Sequence, residues 1–313
     1  MELIRGFHNI RDRHRGCVAT IGAFDGVHLG HQAVLKQLMA KGRELGLPTV
    51  VVVFEPLPRE FFSPHEAPPR LMSFRERFVE LDKLGIDRIM RIRFTPNFRQ
   101  LGAMEFIRKL FVDGLAAKFI VVGDDLRFGR DRSGGFGMLK KAGETYGFEV
   151  MDTATLTQSD ERVSSTRIRE VLAEADFAEA ERLLGRPYSI AGRVIVGQQL
   201  GRTLGVPTAN MELHRLRSPL AGVFAVEVEC PDGVTRKGVA NVGTRPTVDN
   251  LPKAILEVHV LDYSGNLYRR NIKVLFRKKL RNEIRFDGLE ALKAQIHKDI
   301  ETARHYFAER GDD

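Results

Sequence analysis

The first half of the chain alternates short apolar runs with amphipathic stretches. Between its first two apolar runs, residues such as Leu35, Leu38 and Leu45 recur on one face at helical spacing, and similar helical patterns occupy 73–84, 103–111 and 167–184. This alternation predicts an α/β unit with a mostly parallel sheet and right-handed crossovers. The apolar runs of strand length are residues 17–21, 49–54, 88–94, 119–122 and 148–151.

In the second half the pattern of apolar and polar residues changes, and one β-type run follows another. Turn sequences such as Pro231-Asp232-Gly233 and Ser264-Gly265-Asn266 separate these runs, a pattern typical of a small antiparallel β-barrel. A final amphipathic helix, with Leu289 and Phe307 at the ends of its apolar face, is expected to cover the barrel. The predicted strands are residues 188–196, 223–229, 234–241, 255–261 and 272–276.

The change from the first pattern to the second falls at Gly185-Arg186-Pro187. It predicts two domains, 1–185 and 186–313. A chain of 313 residues is long enough to form two domains of ordinary size.

Composition restricts the cellular setting. The N-terminus lacks the apolar core of a signal peptide and no run of 18 apolar residues occurs, so we expect a cytoplasmic protein with no membrane association. Cys17 and Cys230 lie far apart at strand-like positions and are expected to be buried, reduced thiols. We expect a monomer or a weak homo-oligomer.

The formal net charge of +8 is compatible with nucleic acid or with polyphosphate substrates. The basic residues are scattered and form no long tail. We therefore expect small phosphorylated ligands rather than a nucleic-acid partner.

A glycine-rich turn containing two histidines follows the first predicted strand and opens the first helix. Gly22 and Gly30 permit sharp turns and close approach of a ligand, and a helix N-terminus presents free N–H groups to phosphate. His28 and His31 can donate hydrogen bonds to phosphate oxygens. The alternative, an incidental glycine turn, explains the surrounding strand and helix less well.

Two further segments extend this first candidate site. Ser164, Thr166 and Arg167 precede or begin a helix, where hydroxyl and guanidinium groups suit phosphate oxygens. Residues 123–129 follow the fourth predicted strand at the same sheet edge. Each segment alone is equally compatible with an ordinary surface feature.

The barrel half contains a second candidate site. Residues 197–205 look superficially like a P-loop, but their glycine spacing and the absence of the lysine favour a flap between strands. Thr208 and Asn210 lie two apart and would share one side of a strand, as oxygen ligands of Mg²⁺ do. Glu257 and His259 likewise share a face, although a solvent-facing pair is the simpler reading of that pattern.

Together these segments resemble the bacterial bifunctional riboflavin kinase/FAD synthetases. In the N-terminal half the matching elements are Gly22-x-Phe-Asp-Gly-Val-His-x-Gly-His31, Phe54-Glu-Pro-x-Pro58, Arg70-Leu71, Gly123-x-Asp-x-Arg-Phe-Gly129 and Ser164-Ser-Thr-Arg-Ile-Arg169. In the C-terminal half they are Gly201-Arg-x-Leu-Gly-x-Pro-Thr-Ala-Asn210, Gly222-Val-x-Ala-Val226, Gly238-Val-Ala-Asn-x-Gly-x-Arg-Pro-Thr247, Glu257-x-His-x-Leu-Asp262 and Leu280-Arg-x-Glu283.

For the N-terminal half, the resemblance implies a Rossmann-like nucleotidyltransferase fold that transfers AMP from ATP to FMN and releases pyrophosphate. His28 and His31 would be catalytic and bind the ATP phosphates. Phe62, Asp125, Arg127 and Phe128 would bind FMN, with the two phenylalanines as candidates for stacking on the flavin. The remaining expected ATP ligands are Gly22, Phe24, Asp25, Gly30, Ser164, Thr166 and Arg167.

For the barrel half, the resemblance implies a riboflavin kinase. Glu257 would take the proton from the riboflavin 5′-hydroxyl, which attacks the γ-phosphorus of ATP. Thr208 and Asn210 would bind Mg²⁺. The expected ATP ligands are Gly197, Gly201, Gly205 and Asn241.

Two positions depart from the family pattern. Leu126 replaces a usual aromatic residue and Val206 a usual phenylalanine, changes that affect packing more than chemistry.

Two other function classes remain open on the residues alone. A cytidylyltransferase would explain His28 and His31 but not Thr208, Asn210 and Glu257. A nucleic-acid-binding protein would explain the charge and a barrel of OB type, but has no use for the histidine turn.

Overall fold

The computed structural model describes residues 1–123, 126–153, 157–158, 161–197, 205–245 and 253–311. By their contacts these fall into two compact units. The first unit comprises residues 1–68 and 77–164, and the second comprises residues 69–76 and 165–313.

The first unit is built on a parallel sheet of six strands, in the order β1-β4-β3-β2-β5-β6. The central strands are almost entirely apolar because both faces of the sheet are covered, and Val50, Val51, Val52 and Val53 are fully buried. The strands are β1 (Glu2–Arg5), β2 (Val18–Ile21), β3 (Thr49–Glu55), β4 (Arg88–Arg93), β5 (Phe119–Gly123) and β6 (Glu149–Thr153).

This strand order reverses direction beside β2. The chain passes from β2 to β3 and β4 on one side, and then crosses to β5 and β6 on the other. Ligands of open α/β sheets bind outside the carboxyl ends of the strands at such a reversal. The turn after β2 and the loop after β5 flank that point.

The helices of the first unit follow the apolar periodicity. The helix α1 (Leu29–Leu45) ends at Gly46, whose φ of 63° is the left-handed conformation that closes a helix. The predicted helix at 103–111 divides into α4 (Ala103–Ile107) and a wider π-type turn at Arg108–Val112. The others are α2 (Pro58–Phe62), α3 (Phe74–Lys83), which begins at the end of segment 69–76, and α5 (Phe136–Tyr146).

The second unit contains a closed antiparallel barrel of six strands, in the order β10-β13-β12-β11-β14-β9. Alternate residues face its interior; Leu256 and Val258 of β13 are fully buried there, while Glu257 and His259 face outward. The strands are β9 (Ser189–Ile195), β10 (Ala209–Glu212), β11 (Gly222–Glu229), β12 (Thr235–Arg245), β13 (Lys253–Val260) and β14 (Asn271–Arg281). A separate short hairpin in the first unit pairs β7 (Thr157–Gln158) with β8 (Glu161–Arg162).

The C-terminal helix α8 (Leu289–Glu309) covers part of the barrel, as its periodicity predicts. Ala303 and Phe307 are buried against Val223, Ala225 and Val239. Arg281 of β14 also holds Asp299 of α8 through two nitrogens, at N–O distances of 2.7 to 3.0 Å.

The helical stretch predicted at 167–184 is two helices, α6 (Ser165–Ala173) and α7 (Phe177–Leu184). Ala175 adopts a φ of 61°, and the Asp176 carboxylate then caps α7 by accepting from the Glu179 N–H at 2.9 Å. Phe177 packs against Phe224 and Phe276 of the barrel. The contact division therefore differs from the predicted boundary between residues 185 and 186.

Segment 69–76 also belongs to the barrel unit by its contacts. The Glu76 carboxylate pairs with the fully buried Arg215 at 2.6 Å and accepts from the Ala191 N–H at 2.9 Å. The Tyr188 hydroxyl donates to the Leu71 carbonyl. A buried ion pair needs such additional hydrogen bonds to offset its desolvation.

Candidate active sites

The histidine turn joins β2 to α1 at the reversal point of the first sheet. His28 is the N-cap of α1, and its Nδ1 accepts from the His31 N–H at 3.3 Å. The two imidazole rings stack with centroids 3.6 Å apart, and the Phe24 ring lies 5.0 Å from that of His31. His28, Asp25 and Phe24 are buried; His31 is half-buried, and its Nδ1 lies in the buried part of the ring.

The turn uses backbone conformations that need special residues. Gly26 has a φ of 89°, and Phe24 and Val27 also take left-handed values of 48° and 42°. A Cβ on Gly30 would lie 3.1 Å from the His28 ring and 3.2 Å from the Val163 carbonyl. Glycine at position 30 therefore allows the His28 ring to fold back over the start of α1.

His31 is neutral near pH 7. Burial lowers the pKa of its imidazole well below 6.5, and the nearby His28 and Arg77 lower it further. Its Nδ1 is buried without a hydrogen-bond partner among the described residues. A buried polar atom of this kind at a helix N-terminus suits a bound anion.

Arg77 of α3 is a residue that the sequence analysis missed. Its guanidinium is 1% exposed, donates to the Ala23 carbonyl of the histidine turn and pairs with Glu55 at 2.9 Å. Its position offers a signal, because it lies three residues after Phe74 and four before Leu81, on the apolar face of α3.

The segment before Ser164 approaches the histidine turn, since the Val163 carbonyl borders Gly30. Ser164 is the last residue of the first unit, whereas Thr166 and Arg167 lie in the first turn of α6 in the second unit. Their predicted role as phosphate ligands stays a prediction.

The predicted flavin-binding residues differ in exposure. Phe62 is 56% exposed beside Phe61 and Phe94, and the Arg99 guanidinium lies 5.8 Å from its ring centroid, so part of the ring is open to a ligand. Phe128 is buried against Phe106, which leaves little of its ring for stacking. Arg127 is exposed and donates to the Leu126 carbonyl, and Asp125 lies outside the described residues.

The barrel site is a row of side chains across three adjacent strands. In the strand register Glu257 of β13 stands opposite Asn210 of β10 on one side and opposite Asn241 of β12 on the other. Directly paired residues of antiparallel strands share a face. The register thus places the predicted base between the predicted metal and ATP ligands.

The predicted metal ligands also meet. The Asn210 Nδ2 lies 3.4 Å from the Thr208 Oγ1, and a Cβ on Gly197 would lie 2.5 Å from the Asn210 side chain. The start of the predicted flap therefore passes directly over Asn210. Gly205 has a φ of 78°, and Gly201 lies outside the described residues.

His259 fixes the chain just before Thr208. Its Nδ1 lies 2.9 Å from the Pro207 carbonyl oxygen, and since a carbonyl only accepts, this nitrogen carries the proton. His259 and Glu257 share a face of β13, so the same face holds the predicted base and the support for the metal ligand.

A cavity of about 270 Å³ opens beside this row, and we call it the acceptor cavity. Thr208, Asn241 and Glu257 form its polar side. α8 and the segment before it contribute an apolar wall, and the charged residues Arg281, Glu283 and Asp299 also line the cavity. That apolar wall consists of Ile284, Phe286, Leu292, Ile296 and Ile300.

A second cavity, of about 410 Å³, lies at the barrel mouth, and we call it the nucleotide cavity. Its wall includes residues 263–268 and the buried Val258 and Val260. Thr208 lines both cavities. The sequence of residues 264–266 indicates a turn between strands and gives no sign of a site.

Comparison with known proteins agrees with this two-site architecture. A family model described as FAD synthetase matches residues 10–167, and one described as riboflavin kinase matches residues 184–307. A bifunctional riboflavin kinase/FMN adenylyltransferase of Pseudomonas fluorescens is 53% identical over 97% of this chain and 97% of its own. The protein of that name from Escherichia coli K12 is 49% identical over 98% of each chain.

The chain belongs to the bifunctional riboflavin kinase/FMN adenylyltransferase family. The resemblance noted from its motifs is thereby confirmed over nearly the whole length. The expected fold, a parallel α/β unit followed by an antiparallel barrel with a C-terminal helix, is confirmed as well.

A solved structure is similar to this chain over nearly its whole length. A crystal structure described as a macrolide-efflux protein from Streptococcus pneumoniae is 29% identical, with a TM-score of 0.77 over 97% of this chain and 99% of that chain. In the part of the chain that the structure describes, no helix is long and apolar enough to cross a membrane. Cys17 and Cys230 are free and buried, as expected.

Proposed function

We propose that this protein makes FMN from riboflavin in the barrel unit and FAD from FMN in the sheet unit, using one ATP in each step. The observation that carries the proposal is the register of Asn210, Glu257 and Asn241 beside a cavity with one apolar wall. The histidine turn at the sheet reversal supports the second step.

In the kinase step, Glu257 accepts the proton of the riboflavin 5′-hydroxyl. The apolar wall of the acceptor cavity suits the flat, largely apolar flavin ring, and its polar side suits the ribityl chain. A carboxylate there can take the proton as the oxygen attacks the γ-phosphorus of ATP, which releases ADP.

The nucleotide cavity is the proposed site of ATP in this step. Thr208 borders both cavities, so a γ-phosphate near Thr208 would face the acceptor hydroxyl near Glu257. Gly197 and Gly205 allow the backbone of the flap to come close to phosphate oxygens. This arrangement is the positioning on which phosphoryl transfer depends.

The kinase site fits Mg²⁺ bound together with ATP. Its donor atoms are oxygens, and among the described residues the Asn241 Oδ1 is buried without a partner. No group of three His, Cys, Asp or Glu side chains in the described ranges could hold a metal alone. Thr208 and Asn210 would thus supply some of the ligands of Mg²⁺, and ATP would supply the others. When bound, Mg²⁺ would neutralise the negative charge that develops on the phosphates.

In the adenylyl transfer step, the FMN phosphate attacks the α-phosphorus of ATP and pyrophosphate leaves. The start of α1, neutral His31 and His28 would hold the ATP phosphates, with Ser164, Thr166 and Arg167 as further ligands. The exposed ring of Phe62 would stack on the flavin, with Asp125, Arg127 and Phe128 as the other proposed FMN ligands. A cytoplasmic location is part of the proposal because both steps consume ATP.

Product analysis tests the proposal directly. The full-length protein is incubated with riboflavin, ATP and MgCl₂, and riboflavin, FMN and FAD are separated by chromatography. We expect FMN to appear first and FAD to follow. FMN without FAD, even when FMN is supplied, would refute the assignment of the sheet unit, and replacement of ATP by CTP serves as the specificity control.

A further inference from the structure

The buried arginine of α3 is the least expected charge in the first unit. Arg77 is 1% exposed, although arginine seldom lies in a protein interior without a specific reason. The motifs that identify the family do not include it. Its contacts run toward the histidine turn.

Arg77 ties two adjacent strands together at their carboxyl ends. One guanidinium nitrogen donates to the carbonyl of Ala23, just beyond β2, and another pairs with Glu55, the last residue of β3. The planar guanidinium presents several donors in a fixed arrangement, which a lysine cannot reproduce. These contacts fix where the chain leaves β2.

The residue after Ala23 transmits this constraint to the histidines. Phe24 adopts a left-handed φ of 48°, which costs free energy in a residue other than glycine and persists when neighbouring contacts enforce it. The Phe24 ring lies against His31, and His31 stacks on His28. A contiguous set of contacts therefore leads from Arg77 to both histidines.

We propose that Arg77 is a positioning residue for adenylyl transfer: it holds the Ala23 carbonyl and so sets the placement of His28 and His31. The inference rests on the function proposed for the sheet unit. In this role Arg77 acts through the histidine turn and not through a contact with substrate. Its positive charge also helps to keep His31 neutral, together with burial and His28.

The test measures both activities of the same chain in four variants. R77M removes the charge and the donors, R77K keeps the charge but not the two-pronged contact, and E55Q keeps Arg77 and its bond to Ala23. Arg75 is exposed two residues away on the same helix, so R75M is the matched control. Kinase turnover with riboflavin and adenylyl transfer with FMN are assayed separately, and thermal midpoints are recorded.

We expect R77M to lower kcat for FAD formation by about 10- to 100-fold, since small misplacements of catalytic groups have effects of this size. Kinase turnover should stay within about twofold of wild type, and R77K should recover part of the lost kcat. R75M should retain full FAD formation, whereas E55Q, which removes one of the two contacts of Arg77, should lower it less than R77M does.

The pH profile separates positioning from a general loss of structure. Loss of the positive charge raises the pKa of His31, so the acid limb of the FAD-forming activity should move to higher pH in R77M and not in R77K. His28, Arg77 and the Phe24 ring are the groups identified beside His31.

Three outcomes overturn the inference. The first is that R77M forms FAD at the wild-type rate, and the second is that the acid limb of its pH profile is unchanged. The third is that both activities fall in parallel with the thermal midpoint, in R77M and R77K alike. If R77M does not fold, R77K decides, because equal FAD formation in R77K and wild type refutes the positioning role. A wild-type protein that forms no FAD at all would instead refute the proposed function of the sheet unit.

Discussion

The two candidate phosphate sites of this protein are built in different ways. The histidine turn is local: residues 22–31 contain the glycines, the helix N-terminus and both imidazoles. The barrel site is assembled from β10, β12 and β13, whose residues meet only through strand pairing. A local site depends on backbone conformation, whereas an assembled site depends on register.

This difference predicts how each site fails. In the turn, we expect a single added Cβ or the loss of the buried Arg77 cation to change where the imidazole rings point. In the barrel, the strands hold one another through continuous hydrogen bonding around the closed sheet, so a substituted side chain leaves its neighbours in place. Damage at one site should therefore leave the other working.

The largest expected effect is at the barrel site. E257Q keeps the shape of the side chain but removes the proposed base, so we expect riboflavin kinase turnover to fall by about 10²- to 10⁴-fold. FMN adenylylation by the same preparation should stay within about twofold of wild type. Steady-state assays with riboflavin and with FMN measure the two rates; equal loss of both would contradict the two-site description.

The reverse separation is expected for H28A. This change removes the N-cap of α1 and a proposed phosphate ligand, so FAD formation should fall by about 100-fold while FMN formation continues. The thermal midpoint should fall only slightly, because a lost cap costs about 1 kcal/mol. Accumulation of FMN from riboflavin is the observable, and a variant that still converts FMN to FAD at the wild-type rate would exclude His28 from the site.

A smaller effect is expected where a methyl group is added beside the turn. G30A would place a Cβ 3.1 Å from the His28 ring, so the ring must shift, and we expect FAD formation to fall by about tenfold. Gly137 of α5 is the control, because a Cβ there meets nothing within 4 Å. G137A should keep full activity and gain up to about 1 kcal/mol of stability; similar losses in both variants would argue against a specific role for Gly30.

The smallest effect concerns the edge strand of the open sheet. Hydrogen bonds from His14 and then Arg13 lower the pKa of Glu2 from 4.5 to about 2. A carboxylate with a lowered pKa stabilises the fold above pH 4.5, and this contribution disappears as the pH falls toward 2. Because Glu2 is partly exposed, the contribution is below about 1 kcal/mol.

Thermal unfolding of wild type and E2Q at pH 6 and pH 3 measures this contribution. The difference between their midpoints should be larger at pH 6. A constant difference would mean that the ionised carboxylate of Glu2 contributes nothing.

The sequence predicts the local site better than the assembled one. The order of glycines and histidines in residues 22–31 places the turn, because strand, turn and helix are contiguous. The pairing of Asn210 and Asn241 with Glu257 requires a register, which depends on contacts between distant strands. The sequence predicts extended backbone at Thr208 and Asn210 but not the bounds of β10, since its four residues are too few to show an alternating pattern.

Only helical spacing marks Arg77 in the sequence, and nothing in the sequence marks the burial of segment 69–76. Arginine and glutamate in an amphipathic helix are usually solvated, and their burial depends on which surfaces meet them. Glu76 is buried because Arg215, 139 residues later in the chain, pairs with it. The break between α6 and α7 was equally hidden, because a single left-handed alanine carries no composition signal.

The open sheet of the first unit and the closed sheet of the barrel also differ at their edges. Each barrel strand that the structure describes pairs with a neighbour on both sides, so these strands form a closed sheet without an edge strand. The open sheet ends at β1 and β6, which carry Glu2 and Arg5 on one edge and Glu149 and Asp152 on the other. Charged side chains at sheet edges oppose pairing between molecules. During synthesis and refolding, the first unit therefore relies on charge to remain unaggregated, whereas the barrel is protected once its strands have closed.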